Sequence, residues 1–199
     1  MNPALLPTEL PWHKKCVAAF LRIFCFRAIF FSLFLRKLCY NRIMKHIQTD
    51  GHWGTFSKNE SLKITGTLIT LRDGTLKKLF TEEDQPSLLR NATIYFCGPT
   101  PPPPGEIIGS CGPTTSSRME PYFEKMINCG AKAFIGKGEI SAASKALLDQ
   151  KNGYYFSAIG GVGAFLNSTI TSAKIIRFPE LGPEAIYKLE VKDFPVVHV

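Results

Sequence analysis

Acidic residues are nearly missing from the first quarter of the chain. Residues 1–49 contain eight Lys and Arg but one carboxylate, Glu9, whereas residues 50–199 contain sixteen basic and fifteen acidic residues. The formal net charge of +8 is therefore a property of the opening segment. Because residues 50–199 have no stripe of Lys and Arg that could hold a phosphate backbone, we expect no nucleic-acid partner.

Cysteine patterns typical of metal sites and disulfide scaffolds are also missing. The six cysteines are irregularly spaced, without a CxxC motif and without Cys/His pairs at zinc-finger spacing. In a chain of 199 residues this predicts reduced thiols in the cytoplasm or, alternatively, in the matrix of a mitochondrion or related organelle. We expect Cys97, Cys111 and Cys129 to be small buried hydrophobic residues rather than ligands.

One long hydrophobic run is present, in residues 16–35, where mostly apolar residues are interrupted by Arg22, Arg27 and Ser32. The run is long enough to cross a bilayer, but its two arginines roughly offset the favourable insertion of the apolar side chains. Three interpretations stay open for residues 1–50: a matrix-targeting presequence, a membrane anchor, or a non-native start ahead of Met44. We expect any membrane association only through residues 16–35.

Residues 51–199 have the pattern of one α/β domain. Apolar residues at strand or helix spacing alternate along the chain, and a loop rich in Pro and Gly separates two of the elements. The helix that starts near Ser117 has a capping-box pattern with Glu120. Strands are predicted over 62–71, 91–98, 131–136, 154–161, 173–180 and 194–199, and helices from 75, from 117, over 141–150, over 163–170 and over 183–191.

Cations and hydroxyl groups follow the predicted strands, beside glycines. Arg72 follows the first strand, and Lys137 stands between two glycines after a later one. Thr114, Thr115 and Arg118 lie where the Pro/Gly loop meets a helix start. Ligands collect outside the carboxyl ends of strands in open α/β sheets, and helix N-termini favour anions. Because arginine forks match carboxylates bidentately, we expect a small dianion as the ligand.

Each of these residues also has an ordinary structural interpretation. Arg72 could form a surface ion pair with Asp73, and the two threonines could cap the following helix. Lys137 could be a turn residue, because the GxxxxGK[ST] spacing of a P-loop is missing. The glycines within 160–163 are too few for a dinucleotide fingerprint, and we expect them to be structural.

Three motifs carry a resemblance to a known family: YFCGPTPPPPGEIIGSCGPTTSSRM (95–119), AFIGKG (133–138) and RFPELGPEAIYKLEVKDFPVVHV (177–199). From about residue 62 onward the chain resembles the C-terminal region of class I, iron–sulfur-dependent fumarate hydratases. The same region forms the separate beta subunit of two-subunit fumarases and L-tartrate dehydratases. The resemblance implies an α/β fold of the swivelling β/β/α three-layer type, with the basic, hydrophobic N-terminal extension outside it.

The resemblance also implies a reaction, a cofactor and a partner. Family members are hydro-lyases that reversibly add water across the double bond of a dicarboxylate. They use a [4Fe-4S] cluster whose cysteines belong to the alpha region, so we expect the cluster on a partner alpha subunit and not on this chain. The chain is then expected to be half of an active site in a hetero-oligomer, and inactive alone.

The same motifs imply roles for individual residues. Arg72, Arg118 and Lys137 would bind substrate carboxylates, with Thr115 as a further substrate-binding candidate. Thr114, the first threonine of GPTT, would occupy the position of the base that removes the C3 proton of malate. An isolated threonine hydroxyl is a poor base, so this role needs neighbours that lower its pKa.

One position departs from the family pattern. Members commonly read RDAAH after the first strand, whereas this chain reads RDGTL and has Leu76 in place of the histidine. The leading hypothesis is hydration of fumarate to L-malate together with an iron–sulfur alpha partner. The alternatives are an L-tartrate dehydratase beta subunit and a non-catalytic dicarboxylate-binding relative.

Overall fold

A computed structural model of the chain describes residues 44–51, 53–81 and 87–199. The predictions made for residues 16–35 and for Cys16, Cys25 and Cys39 lie outside these ranges. Residues 44–199 form one compact unit. Within the described ranges, no helix has the length and apolar character needed to cross a membrane.

The described residues form seven strands and four α-helices. The strands are β1 Lys45–Gln48, β2 Ser61–Thr70, β3 Thr93–Tyr95, β4 Ala133–Gly136, β5 Tyr154–Ser157, β6 Ile170–Arg177 and β7 Ile186–His198. The helices are α1 Asp73–Leu79, α2 Phe123–Asn128, α3 Ala142–Gln150 and α4 Gly163–Asn167. Short 3-10 helices cover Ser87–Leu89, Ser116–Arg118, Glu120–Tyr122 and Pro179–Glu184.

Five strands close into a barrel-like sheet. β2, β3, β4 and β5 are parallel neighbours in this order, and β7 runs antiparallel to both β5 and β2, which closes the ring. β1 extends the sheet beside β2, and β6 extends it beside β7. The pairing of β1 makes residues 45–48 part of the sheet, ahead of the domain boundary predicted at residue 51. The mixed α/β class predicted from the sequence is confirmed.

Apolar side chains fill the inside of the barrel. Successive residues of a strand face opposite sides of the sheet, so every second residue points inward. On β3 this residue is Tyr95, whose ring meets Phe194 of β7 edge-on with centroids 5.2 Å apart. The five barrel strands contribute Leu62, Ile64, Leu68, Tyr95, Ala133, Ile135, Phe156, Leu189, Val191, Phe194 and Val196 to this core.

A second core lies between the outer face of the sheet and the helices. Phe134 of β4 and Phe123 of α2 stack with ring centroids 4.7 Å apart, which fixes α2 on the sheet. Because β3 and β4 are buried on both faces, they have no alternation of polar and apolar residues, and Thr93 is their only residue that is neither apolar nor aromatic. This outer core includes Ile69, Leu76, Leu79, Ile94, Phe96, Met119, Phe123, Met126, Ile127, Phe134, Leu148 and Tyr155.

The helix predicted over 183–191 is wrong, because this segment opens strand β7. Its Lys, Leu and Glu residues favour a helix locally. However, the segment hydrogen-bonds to β2 on one side and to β6 on the other, and it buries Ile186, Leu189 and Val191. Pairing on both edges outweighs the weak local preference.

The capping box predicted from Ser117 and Glu120 is also wrong. Ser117 lies inside a 3-10 helix, and α2 begins only at Phe123. The Glu120 carboxylate instead accepts hydrogen bonds from the Ser141 backbone N–H and the Ser144 hydroxyl, each at 3.0 Å. Glu120 therefore tethers the start of α3 rather than the start of its own helix.

Two buried threonines on neighbouring strands give a stability test. Thr93 Oγ1 is buried and has no hydrogen-bond partner among the described residues, whereas Thr70 Oγ1 accepts from the Tyr187 backbone N–H at 2.9 Å. An unsatisfied buried hydroxyl costs free energy that a methyl group does not. We expect Thr93→Val to leave the free energy of unfolding unchanged or raise it by up to about 1 kcal/mol.

Thr70→Val is the matched control, and it should lower the free energy of unfolding by about 1–3 kcal/mol, because it leaves a backbone N–H unpaired. Urea unfolding of both variants measures the two values. An equal loss for both would contradict the expectation.

Candidate functional site

Backbone hydrogen bonds draw the predicted site residues together at the carboxyl ends of β3 and β4. The Thr114 N–H donates to the Phe96 carbonyl at 2.6 Å, and the Lys137 N–H donates to the Thr114 carbonyl at 3.0 Å. The Ser116 N–H then donates back to the Lys137 carbonyl at 3.1 Å. Residues 114–116 thus run parallel to the end of β4 as a short added strand segment.

Tyr155 of β5 fixes the turn that carries Lys137. Its phenol oxygen lies 2.7 Å from the Gly138 carbonyl oxygen and 2.8 Å from Ser116 Oγ. A carbonyl can only accept, so the phenol proton goes to Gly138 and the Ser116 hydroxyl donates to Tyr155. Burial raises the pKa of Tyr155 to about 12, although the Ser116 hydrogen bond opposes the shift. Tyr155 therefore stays protonated and structural at neutral pH.

Arg72, directly after β2, pairs with two carboxylates and lies against a glycine. Its Nη2 lies 3.1 Å from Glu184 Oε1, and its Nε lies 3.3 Å from Asp73 Oδ1. A Cβ on Gly98 would come within 2.8 Å of Arg72 Nη1, so only glycine lets the guanidinium lie over this turn. Glu184 is itself fixed, because its Oε2 accepts from the Gly74 N–H at 2.9 Å.

Asp73 joins the two arginines of the site. One oxygen meets Arg72, and the other accepts a hydrogen bond from Arg118 Nη2. Burial alone would raise the pKa of Asp73, but hydrogen bonds from its own backbone N–H and from Arg118, with the charges of both arginines, lower it overall. The carboxylate therefore stays ionised and offsets the repulsion between two neighbouring guanidinium groups.

The remaining predicted residues differ in exposure. Arg118 has 53% of its side chain exposed, and Thr115 and Lys137 are also exposed. Thr114 is half-buried, and its hydroxyl makes no hydrogen bond with the residues the structure describes. The stem of Lys137 crosses Gly160, where an added Cβ would lie 2.9 Å from Lys137 Cδ. This contact explains why residue 160, within the 160–163 segment whose glycines we predicted to be structural, is a glycine.

A cavity of about 550 Å³ lies elsewhere, at the segments that precede β3 and β4. Its lining includes Trp53, Arg90 and Lys132 but none of the predicted site residues. The strand ends that carry Arg72, Thr114 and Lys137 are at the opposite end of the parallel strands. We therefore assign the candidate site to the cation cluster and not to this cavity.

The cysteines of the described part lie in or beside the cores. Cys97 and Cys111 are buried with their sulfur atoms 3.1 Å apart, and Cys129 is half-buried. Burial raises the pKa of the Cys97 thiol, which disfavours the thiolate that metal ligation requires. No group of three Cys, His, Asp or Glu suited to a metal occurs in the described residues. Among the residues that the structure describes, the side chains therefore do not offer a ligand set for an iron–sulfur cluster.

Sequence reasoning missed Glu184 and Ser116. Glu184 pairs with Arg72, and the Ser116 N–H donates to the Lys137 carbonyl. Glu184 lies in the motif FPELGPEAI, but nothing in its local pattern indicated a partner 112 positions earlier in the chain. Leu76, at the position where a histidine was expected, is fully buried on the inner face of α1. Its side chain packs in the outer core.

The fold and the cation cluster together define a class of protein. In this domain, one antiparallel strand closes four parallel strands into a barrel-like sheet, and two arginines lie together at the strand ends. The family described as fumarase C-terminus matches residues 41–199. The chain belongs to the fumarase C-terminus family.

Individual relatives agree with this assignment. The chain is 35% identical over 161 residues to "Fumarate hydratase class I, aerobic" of Escherichia coli K12, covering 78% of this chain and 29% of the relative. It is 36% identical over 138 residues to "Fumarate hydratase 2" of Leishmania major, covering 66% of this chain and 24% of the relative. The chain thus spans less than a third of these hydratases.

A shorter relative is matched over most of its length. The chain is 31% identical over 140 residues to the "Putative L(+)-tartrate dehydratase subunit beta" of Methanocaldococcus jannaschii, covering 66% of this chain and 72% of the relative. The resemblance to class I fumarate hydratases and tartrate dehydratase beta subunits is therefore confirmed.

The charge pairing at Asp73 gives a titration test. Arg118→Gln removes a hydrogen bond and a charge that lower the pKa of Asp73, so we expect that pKa to rise toward its ordinary value of about 3.9. Because the folded pKa is the lower one, the stabilisation by this pair is present above the ordinary value and is lost as the pH falls through the folded pKa. NMR titration of the carboxyl carbon of Asp73 measures the shift.

Arg90→Gln, which changes an exposed arginine at the other end of the strands, should leave the Asp73 pKa unchanged. A wild-type pKa at or above the ordinary value would contradict the pairing.

Proposed function

We propose that the chain is the beta subunit of a hydro-lyase and contributes the carboxylate-binding half of a site that hydrates fumarate to L-malate. The observation that carries the proposal is the connected cluster of Arg72, Asp73 and Arg118 next to Thr114 and Lys137. Membership of the fumarase C-terminus family supports the same chemistry. Two guanidinium groups beside one another suit the two carboxylates of a four-carbon diacid.

Each residue has a role in the proposed reaction. Arg72, Arg118 and Lys137 bind and orient the carboxylates, with Thr115 at the exposed edge of the same segment. In the dehydration direction, Thr114 acts as its alkoxide: the oxygen takes the C3 proton of malate and becomes the neutral hydroxyl, the C3–H electron pair forms the double bond, and the C2 hydroxyl group leaves as hydroxide. In the hydration direction the same oxygen returns a proton to C3.

The proposed partner is an iron–sulfur alpha subunit, in a hetero-oligomer. The chain covers 72% of a relative that is named as a subunit beta, which supports a partner chain that supplies the other part of the enzyme. The [4Fe-4S] cluster would be held by that partner, and the roles of Arg72, Thr114, Arg118 and Lys137 do not involve it. In the same proposal, the domain has the swivelling three-layer β/β/α arrangement of the family, and the enzyme works in the cytoplasm or an organelle matrix.

Three exposed apolar side chains, on segments that contact or continue the loops carrying Thr114 and Lys137, suit the surface that receives this partner. Phe165 of α4 is 60% exposed, Ile107 of the Pro/Gly loop 52%, and Ile159, beside the Gly160 that Lys137 crosses, 47%. α4 packs on the loop that leads to Thr114, since the Cys111 N–H donates to the Gly163 carbonyl at 3.2 Å. A partner seated on Phe165, Ile107 and Ile159 would bury them and complete the site at once.

Two alternative functions have their own support. The M. jannaschii relative makes L-tartrate the alternative substrate, because fumarate hydration and tartrate dehydration differ only by hydroxyl groups on the same diacid skeleton. Leu76 in place of histidine favours a non-catalytic relative that binds a dicarboxylate without turnover. Activity with each substrate separates these cases from the leading proposal.

The first test is reconstitution. Co-expression with the alpha partner under anaerobic conditions should give hydration of fumarate, followed by its absorbance, whereas the chain alone should be inactive. Arg118→Ala should lower kcat/KM of the complex by about a hundredfold or more, because one carboxylate loses a charge-assisted contact.

Lack of activity on fumarate and tartrate, with the cluster intact in the complex, would sink the enzyme proposal. Dicarboxylate binding without turnover would instead support the non-catalytic alternative.

The second test concerns the partner surface. Ile159→Ser combined with Phe165→Ser should prevent co-purification with the alpha partner and leave the circular dichroism of the chain unchanged, since both side chains are exposed. Lys151→Ser, at the other end of β5, is the control and should not affect the complex. Retention of the partner by the double variant would contradict this docking surface.

A further inference from the structure

Glu184 makes three contacts around the start of α1, far from its own position in sequence. Its carboxylate meets Arg72 Nη2 at 3.1 Å and accepts from the Gly74 N–H at 2.9 Å. Its backbone carbonyl accepts a hydrogen bond from the Thr75 hydroxyl. Behind it, the Pro183 carbonyl lies 3.0 Å from where a Cβ of Gly98 would stand. Glu184 is therefore packed between α1 and the turn after β3.

This packing decides the orientation of Arg72. A guanidinium binds a carboxylate well only when its plane presents two N–H groups in the right direction. With Nη2 bound to Glu184 and Nε bound to Asp73, rotation of the plane would break both contacts. The third nitrogen, Nη1, lies over Gly98, so Arg72 has one orientation with little freedom to leave it.

We propose that Glu184 is a positioning residue, which fixes the guanidinium plane of Arg72 for the substrate carboxylate, while Asp73 keeps Arg118 beside it. This inference rests on the proposed function, since it concerns how the same site binds its diacid. The contacts of Glu184 are all with α1 and Arg72, so it acts through Arg72 and does not touch substrate. Asp73 differs because its partner Arg118 is exposed and can turn toward a ligand.

The test is a double-mutant cycle on the full chain in complex with its alpha partner, with L-malate as the probe and its inhibition constant against fumarate hydration as the measure of binding. Glu184→Gln keeps an oxygen that accepts from Gly74 but removes the charge that holds Arg72. We expect it to weaken L-malate binding about tenfold, as expected for a lost charged hydrogen bond. In an Arg72→Ala background the same change should have almost no further effect, because the two residues act as one unit.

Glu180→Gln is the matched control. Glu180 lies in the same 3-10 helix as Glu184 but pairs with Lys78, outside the cluster, so L-malate binding should not change. Exchange of the Nε–H protons with solvent gives a measurement that needs no variant. The Arg72 proton should exchange more slowly than that of Arg118 in the unaltered chain.

Four results would count against the inference. If Glu184→Gln weakens binding equally with and without Arg72, its role is only structural and the inference is overturned. The inference is also overturned if Arg72→Ala weakens L-malate binding but Glu184→Gln binds L-malate normally. It is likewise overturned if Arg72→Ala weakens binding but the Nε–H protons of Arg72 and Arg118 exchange equally fast. If the unaltered complex, with its cluster intact, neither hydrates fumarate nor binds L-malate or tartrate, the proposed function fails, and this inference fails with it.

Discussion

The antiparallel pairing of β7 with β2 is the constraint on which the layout of the molecule depends. The pairing extends over most of both strands, from Ser61 opposite Val197 to Ile69 opposite Lys188. This pairing closes the barrel, and it also determines which strand ends lie side by side. In an antiparallel pair the start of one strand lies beside the end of the other. Glu184, just before β7, is thereby placed next to Arg72, just after β2.

Charge compensation is the second constraint at the strand ends. Two guanidinium groups repel each other, and the repulsion is stronger where water is partly excluded. Asp73 and Glu184 supply the opposite charge, so the arginines stay together in the absence of a ligand. The backbone contacts of residues 114–116 with β4 add Thr114 and Lys137, and neither forms an ion pair with another described residue. The site is thus held by the fold rather than by the ligand.

Sequence reasoning predicted the parts of the fold that depend on local pattern. The alternating residues of β2, the apolar runs of β4 and β5, and the helix over α3 all lie where they were expected. The segment after Pro183 was assigned to a helix because its Lys, Leu and Glu residues favour one, and its two strand neighbours cannot be seen from its own sequence. Arg72 and Arg118 were predicted as site residues from the sequence, but the link through Asp73 and Glu184 depends on three-dimensional contacts.

The Pro/Gly loop has a consequence for how this domain can vary or be engineered. Its stem is tied by two backbone hydrogen bonds between Thr100 and the region of Ser110, at 3.0 and 3.1 Å. Residues 101–107 project from this stem and are exposed. The position of Thr114 is set beyond the stem, at the Phe96 carbonyl. Residues can therefore be added to or removed from the tip without moving the threonine, which makes the loop a natural point for length change between related proteins and for insertion of a label.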